Sequence, residues 1–183
     1  YNAKYVSKLG ELTSVFRTPV YAVLGNHDYW TDGAGAKRVL EHNGITVLRN
    51  QHSVLRPRGA PLTIIGIDDA ITRQADAHRA HNGVRKSGSR IVLSHAPSQA
   101  DRAATYGSSL ILAGHTHGGH VNIPGVTRAL AARLGTHYLD GFFRIRDSLL
   151  YVNRGVGSSS VPLRAGAPSE VAILTLRSLP EPR

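Results

Sequence analysis

Three apolar runs in this chain stop at a small residue and then present histidine: PVYAVLGNHD at 19–28, RIVLSHAP at 90–97 and SLILAGHTHGGH at 109–120. Imidazole is the commonest metal-binding side chain and titrates near neutrality, so it can hold an ion or move a proton. Any one of these histidines, His95 for example, reads alone as a hydrogen-bonded structural residue. Three in the same local setting do not. The GHTHGG string is the most specific, because two imidazoles one residue apart between glycines form a tight turn whose backbone can approach an ion closely. The chain has no cysteine, so a metal site here must be built from His, Asp, Glu, Asn or backbone oxygen.

The elements that must position these residues follow from the apolar pattern. A helix is expected over 4–16, then strands at 20–24, 45–48, 52–56 and 62–67, with 45–48 and 52–56 short and antiparallel or edge-like. A helix at 34–43 ends at Gly44 as a C-terminal glycine cap would end it. Residues 71–82 are weakly helical. Strand 90–94, helix 98–106, strand 109–113, a helix at 126–134, a hairpin at 142–146 and 149–153, and a last strand at 170–177 complete the reading. Alternation of this kind followed by antiparallel strands predicts a layered α/β domain with a mixed sheet. In such sheets ligands bind beyond the carboxyl ends of strands, so the three loops should deliver their histidines to one place.

At 183 residues the chain suits one domain with a substantial core, expected over 1–178, with LPEPR at 179–183 a loose tail. The apolar content is globular, and no run approaches the roughly 20 residues of a membrane span. The chain begins at Tyr1 and contains no Met, so it reads as part of a longer polypeptide whose upstream portion would decide its targeting. Without that portion the location is open between cytoplasm and a membrane face. The formal charge is +10, from 22 basic and 12 acidic residues, and only four of the basic ones are Lys. That balance suits an anionic partner or an Arg-favouring genome. The 11 aromatics are scattered and form no nucleic-acid-binding motif.

GNHD at 25–28, SHAP at 94–97 and GHTHGG at 114–119 resemble three ordered blocks of the calcineurin-like metallophosphoesterases. VNIPG at 121–125, YVNRGVGSS at 151–159 and PSEVAILTL at 168–176 are similar to a bacterial, often membrane-associated branch that includes phosphodiesterases and UDP-2,3-diacylglucosamine hydrolases. The resemblance covers nearly everything from Val20 onward. It implies a four-layer α/β/β/α sandwich carrying two divalent transition ions such as Mn, Fe or Zn. By that resemblance Asn26, His95 and His115 hold one ion and His117 the other. His27 is the acid–base group, Asp28 orients it, and Arg154 is a substrate-binding residue. The substrate implied is a phosphate ester, with lipid-linked and nucleotide leaving groups both open and peripheral membrane contact compatible.

The Asp-x-His and Gly-Asp blocks with which that family opens do not precede GNHD in this sequence. The chain is therefore expected to be the C-terminal portion of the family domain, without its first strands and impaired as a two-metal enzyme. The alternative is a non-catalytic domain that binds a single metal or an anion. Asp68 and Asp69, at the end of LTIIGI, read as turn formers and not as replacement ligands. His120 is expected in the pocket wall without a metal role. His42, His52, His78, His81 and His137 read as surface or turn residues.

Overall fold

A computed structural model describes Lys8, residues 16–158 and residues 163–177. Of the expected 4–16 helix only Lys8, which is helical, and Phe16, which is not, are among these residues, and the 179–183 tail falls outside them. Two sheets face each other. The smaller pairs β1 (Val20–Ala22) in parallel with β2 (Ile45–Val47). The larger has six strands: β3 (Gln51–Leu55), β4 (Leu62–Ile67), β5 (Ser89–Ser94), β6 (Leu110–Ala113), β7 (Gly141–Ile145) and β8 (Ser148–Val152), in the order β3-β4-β5-β6-β8-β7. β4, β5, β6 and β8 run parallel, and β3 and β7 are antiparallel edges. The helices are α1 (Asn26–Thr31), α2 (Gly33–His42), α3 (Ala77–His81), α4 (Ala100–Ala104) and α5 (Val126–Arg133).

Strand alternation sorts the core into three layers of contact. Val20, Ala22, Ile45 and Val47 pack against Ala36 and Leu40 of α2. The opposite face of that small sheet, Tyr21 and Val23, meets Ile64, Ile91 and Leu110 of the large one. On its other side the large sheet packs Ile65, Val92, Ile111 and Leu150 against Ala77 and Ala80 of α3 and Ala100, Ala103 and Ala104 of α4. The order α2, small sheet, large sheet, α3 with α4 is the expected α/β/β/α arrangement. Ile65, Val92, Ile111 and Leu150 are fully buried, each contributing roughly 1.5–3 kcal/mol relative to exposure. The sheets touch closely at Gly66, where a Cβ would lie 2.2 Å from Leu48 Cβ.

Several expectations are corrected. Residues 45–48, expected antiparallel or edge-like, form a strand at the edge of the small sheet that runs parallel to β1, because the two are joined across α2. Of 71–82 only Ala77–His81 is helical, with Asp76 accepting from Arg79 N as its cap. Residues 170–177 are not a strand. Val171 and Ile173 are exposed while Leu174 packs on the sheet–sheet core, so the alternation is present without a partner strand. His81 is buried, stacked on Tyr106 with ring centroids 4.2 Å apart. No described helix is long and apolar enough to cross a membrane.

Candidate metal centre

Register in the large sheet brings the strand ends level: Ile67 lies opposite Ser94, Ser94 opposite Ala113, and Ala113 opposite Val152. The residues that follow, Asp68–Asp69, His95, Gly114–His115 and Asn153–Arg154, therefore emerge side by side. Gly114 N–H donates to His95 O at 3.0 Å, tying two of these loops together. GNHD arrives from the small sheet as the start of α1, a helix the sequence reading did not include. Gly25 is its N-cap in extended conformation. Asp28, three residues on, accepts the Gly25 N–H at 2.8 Å, the reach-back half of a capping box, and places a negative charge in the first turn. Asp32 ends α1 and caps α2 by accepting from Gly35 N at 2.8 Å.

Asn26, His95 and His115 converge. His95 Nε2 is 2.8 Å from Asn26 Oδ1 and 3.1 Å from His115 Nδ1. The His95 and His115 rings meet edge to face, centroids 4.9 Å apart. Gly25 makes the approach possible, since a Cβ there would lie 2.7 Å from the His95 ring. One amide oxygen and two imidazole nitrogens in a space a few ångströms across fit a borderline transition ion better than calcium. Asn26 at the start of α1, His95 directly after β5 and His115 two residues after β6 bring the donors from three separate elements. Among the described residues no three of His, Asp and Glu cluster as an ion site by themselves, so the Asn26 oxygen is needed to complete the set.

The GHTHGG turn is wound tightly. His115, His117 and His120 all have left-handed φ, at 69°, 52° and 58°, a conformation costing non-glycine residues of order 1–3 kcal/mol each and concentrated at functional sites. Thr116 Oγ1 anchors the turn to Leu139 O at 2.5 Å. His117 does not join the trio. Its Nδ1 accepts from Arg164 Nη2 at 2.9 Å, and its ring stacks on His120, centroids 4.5 Å apart. Arg164 is also held by Arg154 O, Gly157 O and Ala167 O. It was not legible as a site residue, because it lies 47 positions from His117 in a Gly- and Pro-rich stretch. Arg154 is engaged by Glu170, Nε to Oε2 at 2.5 Å, and its side chain packs over Gly118.

These residues line a cleft of about 510 Å³ with Asn26, His27, His95, His115, His117 and His120 on its polar side and Trp30, Leu134 and Leu139 on its apolar side. His27 is exposed at the rim, its ring edge-on to Trp30 with centroids 5.0 Å apart. Burial, then the neighbouring His115, push His95 down to about 4. Burial also lowers His115 and His117. These rings are neutral near pH 7, the form that donates to a metal. A linkage prediction follows. In the unfolded chain such a histidine titrates near 6.5, so between about 6.5 and 4 the unfolded state binds more protons than the fold. The stabilisation is complete above that window and is lost as pH falls through it. The urea midpoint of the ion-free chain is expected to be clearly lower at about pH 5 than at pH 7.5, and equal midpoints would contradict the buried neutral rings.

The chain is similar to several longer proteins. It is 31% identical over 158 residues to "Uncharacterized metallophosphoesterase YkuE" of Bacillus subtilis, covering 85% of this chain and 55% of that one. It is 30% identical over 164 residues to "Phosphodiesterase YaeI" of Escherichia coli, covering 86% and 58%. With "Transmembrane protein with metallophosphoesterase domain" of Danio rerio the identity is 32% over 171 residues, covering 86% and 38%. The chain thus spans little more than half the length of these bacterial relatives. No solved structure matches. The model of the calcineurin-like phosphoesterases matches residues 2–119, a stretch that contains GNHD, SHAP and GHTHGG, and with the converging Asn26, His95 and His115 this places the chain in the calcineurin-like phosphoesterase family.

Proposed function

We propose that the polypeptide is a metal-dependent phosphoesterase acting on a phosphodiester or phosphomonoester, and that Asn26, His95 and His115 hold its ion. The convergence of three donor atoms from three loops within 2.8–3.1 Å carries this reading. A divalent ion held by these residues would supply Lewis acidity to a phosphoryl oxygen and lower the pKa of water. His27, exposed at the cleft rim, hands a proton from its imidazole to the departing alkoxide. Asp28 acts through the backbone, fixing the turn that aims His27. His117 would offer a single nitrogen to a second ion, held only weakly because Arg164 occupies its Nδ1. Arg164, with Arg154 behind it, supplies the guanidinium side of the phosphate pocket. Trp30, Leu134 and Leu139 give the leaving group an apolar wall, which suits a lipid-linked or aryl ester and the membrane contact that the branch resemblance implies.

A non-catalytic module that binds one ion or an anion is favoured by a different observation: Arg164 already occupies His117 Nδ1. Hydrolysis of bis-p-nitrophenyl phosphate separates the two. The enzyme reading expects turnover that requires added Mn²⁺ or Zn²⁺ and disappears after the ion is stripped. Turnover undiminished in excess chelator would defeat both metal readings, and ion uptake without turnover would leave the binding module.

A further inference from the structure

α5 has no buried residue, and a helix of its length is marginal in water without a partner. Thr127 fastens it to the chain leaving the GHTHGG turn. Its Oγ1 donates to Val121 O at 3.0 Å and accepts from Ile123 N at 2.9 Å, and its Cγ2 lies 2.7 Å from where a Cβ on Gly119 would fall. The helical period puts Val126, Leu130 and the C-cap Leu134 in one stripe beside Thr127 and Ala131, with Arg133 along the stripe's other edge. The three stripe residues are 58%, 56% and 76% exposed. Ala131 and Leu134 line the cleft together with Trp30, itself 64% exposed, so the stripe runs into the cleft mouth. Single exposed hydrophobes are ordinary, but a contiguous apolar patch marks a surface that meets something apolar.

Charge selects what that is. No Asp or Glu lies between Asp101 and Asp140, a stretch that holds Arg102, Arg128 and Arg133. Asp140 itself is taken by Arg128. A second copy seated on this face would set the same arginines against one another, and like charges in apposition oppose association. A short helix with Val and Leu on one side and Arg beside them has the make-up of helices that lie in the lipid–water interface. Arg stems can follow apolar surface while the guanidinium reaches phosphate, and Trp favours that boundary because its ring is apolar and its N–H is not. We propose that α5 and Trp30 dock on the surface of an anionic phospholipid bilayer, with the stripe among the upper acyl segments, Arg133 at the headgroup phosphates and the cleft mouth turned to the lipid. The inference rests on the reading of the cleft as the active site only for what this orientation delivers; docking itself needs no ion.

Trp30 is the chain's one tryptophan, so its emission reports on this face alone. The full chain is mixed with phosphatidylcholine–phosphatidylglycerol vesicles, and binding is read by flotation while Trp30 is read by emission and by quenching from brominated acyl chains. The chain is expected to float with these vesicles and less with pure phosphatidylcholine, with Trp30 emission moving to the blue and quenched. Val126→Glu/Leu130→Glu lies outside the cleft lining and should keep its thermal midpoint while binding at least roughly tenfold more weakly. Arg133→Ala should bind about fivefold more weakly, and it decides the matter together with the quenching if the double variant fails to fold. Absence of vesicle binding would overturn the proposal. So would binding that leaves Trp30 unshifted and is indifferent to these variants, which is adhesion by net charge alone. Self-association that Val126→Glu/Leu130→Glu abolishes, without vesicle binding, would assign the face to a second copy instead. Zn²⁺ uptake separates the two readings: a chain that docks without taking up Zn²⁺ defeats the donor set and keeps the docking face, and one that takes up Zn²⁺ without docking does the reverse.

Discussion

His95→Ala is expected to remove tight Zn²⁺ binding from the chain, weakening it by more than the 10–100-fold that loss of an outer partner costs. The reason is geometric. His95 Nε2 is the atom common to both short contacts of the trio, 2.8 Å from Asn26 Oδ1 and 3.1 Å from His115 Nδ1, so its loss leaves two donors on separate loops with nothing between them. His115→Ala should have a similar effect. His117→Ala should leave affinity for the first ion near the wild-type value, because His117 faces Arg164 and His120 and not the trio. Calorimetry with elemental analysis measures all three. Stoichiometry should not exceed about one ion per chain, as only one such donor set occurs among the described residues. Wild-type affinity in His95→Ala, or two tightly held ions, would show that the donor set is misassigned.

His27→Ala in the active polypeptide should lower the rate of phosphodiester hydrolysis by roughly 10²–10⁴, the usual contribution of a positioned acid–base group, while metal content stays intact. His27 follows Asn26 directly in α1, yet the two side chains separate. Asn26 is buried against His95, and His27 is exposed beside Trp30 at the cleft rim. A proton donor in that position reaches the leaving group without competing for the ion. The effect should fall on kcat, with little change in KM, because the proton is transferred in the transition state and not on binding. If His27→Ala strips the ion and His95→Ala does not, ligand and acid have been exchanged.

The large sheet was legible because its signals are local. Buried parallel strands need near-continuous apolar runs, and LTIIGI, RIVLS and SLILA meet that need within one or two residues of the observed bounds. The place of His95 and His115 followed from the same logic, since a strand that stops at a small residue must release its next side chain at the sheet's carboxyl edge. The antiparallel ends and the α2 cap were also local matters of turn chemistry. The α1 helix escaped notice because six residues carry no full period, and its start depends on the Gly25–Asp28 capping contact.

The rest depended on partners distant in sequence. EVAILTLR has a strand's alternation, but a ladder needs a neighbour, and residues 170–177 have none in the sheet. Arg154 and Arg164 carry the same charge in similar Gly-rich surroundings. Only the fold commits one to Glu170 and the other to His117. Asp68 and Asp69 are adjacent and chemically identical, yet Arg49 and Tyr29 satisfy the first while packing leaves Oδ1 of the second without a hydrogen-bond partner. Sequence alone thus determined which residues stand at the strand ends, because backbone periodicity sets that. Tertiary structure decided which of them share protons and charge, because hydrogen bonds and Coulomb interactions act over a few ångströms whatever the separation along the chain.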